Sequence, residues 1–202
     1  MQSSQRTFIA IEIPADIQNN LKILMKKAQL TGINGFRPVR PEMIHLTLKF
    51  LGDSTEFQIV RIQEILSGIS RTRLPFEIQV RGLGAFPSWD NPRTIWAGLT
   101  YPPVLQELSE KIDESTKTIG FPVEKRSLSP HLTLARIKEG GDRKIIRKTL
   151  ELLLQYPENC FGIFVVSHLV LFESKLQPGG SIYTPISIHR FSDQDMIKSH
   201  KQ

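Results

Sequence analysis

The chain has 202 residues, 40% of them hydrophobic and 23% charged. That is the balance of an ordinary globular protein rather than a disordered or fibrous one, and its length suits one domain or two closely joined lobes. Twenty-six Lys and Arg against twenty Asp and Glu leave a formal net charge of +6, which favours anionic partners such as nucleic acid or phosphate esters. No apolar run approaches the 18 to 20 residues of a membrane span, the opening residues lack a secretion signal, and the lone Cys160 excludes an internal disulfide framework. The expectation is a cytoplasmic chain with no membrane association.

Taken in order, the elements come twice. Arg6-Thr7-Phe8-Ile9-Ala10 resembles Arg93-Thr94-Ile95-Trp96-Ala97. Each is followed by a proline-marked turn and an amphipathic run. Ile17, Leu21, Leu24, Met25 and Ala28 make the first helical face, and Val104, Leu105, Leu108, Ile112 and Ile119 the second. Next come His45-Leu46-Thr47-Leu48 and His131-Leu132-Thr133-Leu134, offset by 86 residues (131 − 45). A further helical pattern follows each tetrad: Phe57, Val60, Leu66 and Ile69, then Ile145, Ile146, Leu150, Leu153 and Leu154. Strand-like runs at 76–80 and 162–166 complete the pattern, with extra strands around 168–172 and 183–191.

Two copies of strand, helix, His-strand, helix, strand predict an α+β, bilobal duplicated unit. Two antiparallel sheets would flank a central cleft about a pseudo-twofold axis, with helices outside. Residues 1–191 form a single domain on this reading, with lobe 1 at about 1–86, lobe 2 at about 92–191 and a polar tail over 192–202. The Gly82-x-Gly84 stretch reads as a turn near the join, and Gly32-x-x-Gly35 as another.

Strand periodicity puts His45 and Thr47 on one face and their leucines on the other, and likewise for His131 and Thr133. Duplication would bring two imidazoles and two hydroxyls to one small ligand. Histidine alone both takes and gives protons near neutrality, so one ring can serve as base and the other as acid across a phosphodiester. Thr47 and Thr133 can donate to its non-bridging oxygens. Lys49, two beyond Thr47, shares that face if the strand continues; Arg136 has the opposite parity and needs a bulge to join it. His168, His189 and His200 lack a doubled context and are expected to be structural. Trp96 and Phe8 fit either base stacking or core packing. Zinc would require three or four ligands; the acid nearest a tetrad is Glu42, and no CxxC or HExxH occurs, so no metal and no cofactor are expected.

The paired tetrads, with Arg6 to Ile11, Pro41 to Gly52, Gly82 to Pro87, Ile95 to Gly98, Ser129 to Arg136, Leu171 to Ser174, and Tyr183, resemble the 2H phosphoesterase superfamily. Within it they are similar to the RNA 2′,3′-cyclic phosphodiesterases, long called 2′-5′ RNA ligases. The resemblance covers about residues 6–191. It implies hydrolysis of RNA 2′,3′-cyclic phosphate ends to 2′-phosphomonoesters, with His45 as proton donor, His131 as proton acceptor and Arg136 on the phosphate. The expected partner is RNA with such ends, or related nucleotides, bound by a monomer with no protein partner. RNA joining through the same site and a non-catalytic RNA-end-binding module are the alternatives.

Overall fold

The structure, a computed structural model, describes residues 4–30, 35–124, 128–138, 143–155, 160–178 and 180–192. In chain order these form β1 (Ser4–Glu12), α1 (Ala15–Gln29), β2 (Phe36–Pro38), a 3-10 turn (Pro41–Met43), β3 (His45–Thr55), α2 (Glu56–Ser70), β4 (Phe76–Phe86) and β5 (Thr94–Thr100). Then follow α3 (Pro103–Lys117), β6 (His131–Ile137), α4 (Arg143–Leu154), β7 (Cys160–Val166), β8 (His168–Gln177) and β9 (Gly180–Arg190). The strands make two antiparallel sheets, β3-β1-β8-β9 and β2-β6-β5-β4-β7.

The helices bury one face each, as the spacing predicts for α1 (Ile17, Leu21, Leu24, Met25, Ala28); α3 buries Leu105, Leu108 and Ile112 of its predicted face, while Val104 is only half-buried and Ile119 lies beyond the helix end at Lys117. In α2 the buried face is instead Ile59, Ile62, Leu66 and Ile69, while Phe57 and Val60 are exposed. The start of α2 is fixed by reciprocal bonds between Thr55 and Gln58, a capping box of the kind that contributes about 1 kcal/mol. The Leu150 and Leu154 side chains and the tail from residue 193 lie outside the described residues.

The repeat is visible in the pairing register. Phe86, Ala85 and Gly84 of β4 face Thr94, Ile95 and Trp96 of β5. Shifted by 86 positions in each strand, Phe172, Leu171 and Val170 of β8 face Phe8, Ile9 and Ala10 of β1. β4 of the first half therefore pairs with the first strand of the second half, β5, and β8 of the second half with the first strand of the first half, β1. Consequently the sheets do not divide at the expected lobe boundary between 86 and 92: the four-stranded sheet takes β8 and β9 from the second half, and the five-stranded sheet takes β2 and β4 from the first. The cause is the length of β4, which passes from its pairing with β7 straight into its pairing with β5. Gly82 is no turn but part of that strand, at a register shift, with φ +81, a conformation that suits glycine.

Candidate active site

His45 opens β3 and His131 opens β6. Leu46, Leu48, Leu132 and Leu134 enter the core, leaving His45, Thr47, His131 and Thr133 half-buried on the opposite face. The two strands belong to different sheets yet approach within 8 Å, Cα to Cα. Each imidazole is held the same way. The Nδ1 of His45 lies 2.8 Å from the Met43 carbonyl, and that of His131 lies 2.8 Å from the Ser129 carbonyl. A carbonyl only accepts, so Nδ1 carries the proton in both rings and Nε2 is left to exchange one.

Both strands carry a bulge just beyond the tetrad. The pairing of β1 with β3 skips Leu48, between the Ile9–Lys49 and Ala10–Thr47 pairs. That of β5 with β6 skips Leu134 in the same way, between Ile95–Ala135 and Trp96–Thr133. A bulge reverses the alternation of faces, which settles the two basic candidates in opposite senses. Lys49 is 3% exposed, and its Nζ bonds Asp113 of α3 and the Pro122 carbonyl. It is therefore a core ion pair, not a group on the His45 face. Arg136, given its bulge, stands exposed on the His131 face. Its cross-strand partner in β2 is Arg37, also exposed, a residue that the sequence pattern does not single out. Two like charges directly opposite repel and together suit an anion.

The surroundings of the two rings differ. His45 packs against Phe8 and Tyr183, with ring centroids 4.9 and 5.0 Å away. Tyr183 comes from β9, three strands across the sheet from β3, so this ring contact spans the width of the four-stranded sheet. Burial lowers the His45 pKa below its usual value, and the bond to Met43 partly offsets the fall. His131 packs against Phe86 and Trp96, at 5.1 and 6.2 Å. Phe8 is 3% exposed, in a small cluster with Ala10, Val170 and Phe172, so it packs rather than stacks on a ligand. Beside His45 opens a cavity of about 440 Å³, lined among others by Glu12, Glu42, His168, Phe172 and Tyr183. Register alone could have found Glu12, since it is the cross-strand partner of His45; the residue pattern carries no signal for it.

Among the described residues no three His, Cys, Asp or Glu side chains cluster to hold a metal ion, and no helix is long and apolar enough to cross a membrane.

Doubled histidine strands on two sheets suit phosphoester chemistry, and comparison with known proteins shows the family. The model of LigT-like phosphoesterases matches the chain twice, over residues 11–96 and 100–183, one match per half. The chain belongs to that family. It is 33% identical over 183 residues to the RNA 2′,3′-cyclic phosphodiesterase of Archaeoglobus fulgidus, covering 91% of this chain and 98% of the other. A protein of the same name from Methanocaldococcus jannaschii is 34% identical over 181 residues, covering 90% and 98%. The crystal structure of TT0787 of Thermus thermophilus superposes with a TM-score of 0.76 at 25% identity, covering 94% of this chain and 99% of that one. E. coli LigT complexed with 3′-AMP shares the fold at a TM-score of 0.75 and 24% identity, over 95% and 100%.

Proposed function

We propose that this chain opens RNA 2′,3′-cyclic phosphodiester ends to 2′-phosphomonoesters, using its two histidines as acid and base without a metal. The observation that carries the reading is the matched pair of imidazoles, each with Nδ1–H tied to the carbonyl two residues back, so that Nε2 is the nitrogen left to exchange a proton. The names of the relatives from A. fulgidus and M. jannaschii support the choice of substrate.

Neutral His131 takes a proton from water through Nε2 as the water oxygen bonds to phosphorus. The P–O3′ bond breaks, and protonated His45 delivers its Nε2 proton to the departing O3′. The turnover leaves His131 protonated and His45 neutral; exchange with solvent restores both. Thr47 and Thr133 donate to the non-bridging oxygens, where negative charge gathers, and Arg136 with Arg37 balances the phosphate charge. One chain supplies every group, so the site functions in a monomer. The single exposed Cys160 accords with a reducing, cytoplasmic setting.

The test is product analysis of a 2′,3′-cyclic-phosphate oligonucleotide incubated with the protein in EDTA. A 2′-monoester is expected, and His45→Ala and His131→Ala should each lower kcat by about 100-fold or more. A 3′-monoester product, or full activity in either variant, overturns the assignment.

A further inference from the structure

The repeat is broken beside His45 in a way that acid–base catalysis does not call for. Glu12 is the cross-strand partner of His45 and shares its face. On the other side of Glu12, His168 of β8 places Nε2 3.1 Å from its Oε2. A carboxylate accepts only, so Nε2 is the donor. The Nδ1 of His168 lies 3.3 Å from the Ser167 hydroxyl, which completes a chain that orients the carboxylate. Eighty-six residues away, the same two positions beside His131 are Gly98 (12 + 86) and Gly82 (168 − 86). A group built on one side only serves a ligand that is itself one-sided.

A cyclic phosphate is such a ligand, since its ribose carries a base in one direction. We infer that the cavity beside His45 receives the base of the nucleotide bearing the cyclic phosphate and selects guanine. This deepens the cyclic-phosphate reading and rests on it. The carboxylates that line the cavity are Glu12, bonded to His168, and Glu42, 3.9 Å from Arg40, so its polar wall offers acceptors that suit an N–H-bearing base rather than a further phosphate. Phe172 and Tyr183 give it aromatic walls, and its volume of about 440 Å³ falls within the 300 to 1,000 Å³ common for small-molecule sites. Guanine presents N1–H and N2–H side by side, two donors matched to two carboxylate oxygens. Adenine and cytosine present an amine beside a ring acceptor. Uracil offers one N–H between two carbonyls, which a carboxylate repels.

Two measurements on the full chain test this. The first is kcat/KM for oligonucleotides ending in each of the four 2′,3′-cyclic nucleotides. A preference for guanine over uracil of about 10-fold is expected, collapsing in Glu12→Gln, whose amide replaces one acceptor with a donor. Equal rates for the four ends, or an equal loss for all four in Glu12→Gln, overturn the inference, the latter because Glu12 would then act only through His45. The second is the Kd for guanosine and uridine 2′-monophosphates, which needs no turnover. Tighter guanosine binding that Glu12→Gln abolishes upholds the base site even if no cyclic phosphate is hydrolysed, in which case the reaction assignment alone fails; equal binding overturns the base site.

Discussion

Gly84 lies directly across from Trp96 in the ladder between β4 and β5, and the indole occupies the space a side chain at position 84 would need. A β-carbon there would overlap the six-membered ring of Trp96. Gly84→Ala must therefore displace the indole, which packs against both Phe86 and His131. Overpacking of this kind costs about 1–3 kcal/mol. Thermal unfolding should show that loss, and Trp fluorescence should shift as the ring moves. Activity should fall in folded protein, because the ring beside His131 has lost its seat.

The burial of His45 predicts a difference between two pH profiles. Its pKa is lowered in the free protein, and as an acid it must be protonated to act, so kcat/KM should decline on the basic side from below the ordinary histidine value. A bound phosphate anion favours the protonated ring and raises the pKa again. The basic limb of kcat should therefore lie at higher pH than that of kcat/KM. Steady-state profiles in parallel will check this; superimposed limbs would count against His45 as the acid.

Lys49 and Asp113 make a largely buried ion pair, with side chains 2% and 14% exposed. Removing one partner of a buried pair costs about 3–5 kcal/mol. Lys49→Met should thus lower the melting temperature markedly while kcat/KM, measured where the variant is still folded, stays at the level of the parent. A raised KM with unchanged stability would instead return Lys49 to the substrate.

His189 is buried between Ser67 of α2 and Ser187, whose hydroxyls lie 3.0 and 2.9 Å from its ring nitrogens. Burial lowers its pKa from 6.5, so the unfolded chain binds the proton first as pH falls. The stabilisation from a neutral His189 is present above the unfolded value and is lost as pH drops through 6.5 toward the folded one; His45 contributes with the same sign. Calorimetry should show the melting temperature falling below about pH 6.5, with a shallower fall in His189→Gln.

Whatever repeats in residue type is legible in the sequence. The tetrads, the faces of α1 and α3, and the α+β duplication all follow from spacing. Where spacing misleads, the causes are physical. Counting in twos along β3 assigns Lys49 to the site, and the unpaired Leu48 breaks that count without leaving a mark in composition. Its counterpart Ala135, a small apolar residue next to Leu134, is the trace of the same bulge. Phe57 and Val60 are apolar but sit off the face of Leu66 and Ile69, whereas Ile59, Ile62, Leu66 and Ile69 follow one another at spacings of three and four. The Gly82-x-Gly84 stretch has the composition of a boundary, whereas one glycine serves a bulge and the other makes room for Trp96. Strand exchange is out of reach, because no local pattern says whose edge a strand will use.

Ile78 and Phe164 face each other in the β4–β7 ladder, and 86 residues separate them (164 − 78), so each meets its own counterpart in the repeat. The symmetry axis passes between them. A fragment ending near Ser88 would carry β4 without β5 to receive it, leaving raw edges that a second copy of the same fragment could close. Such a pair would be a homodimer with identical histidines on either side of its cleft. Within one polypeptide the two flanks need not match, and a glutamate stands on one where the other has a glycine.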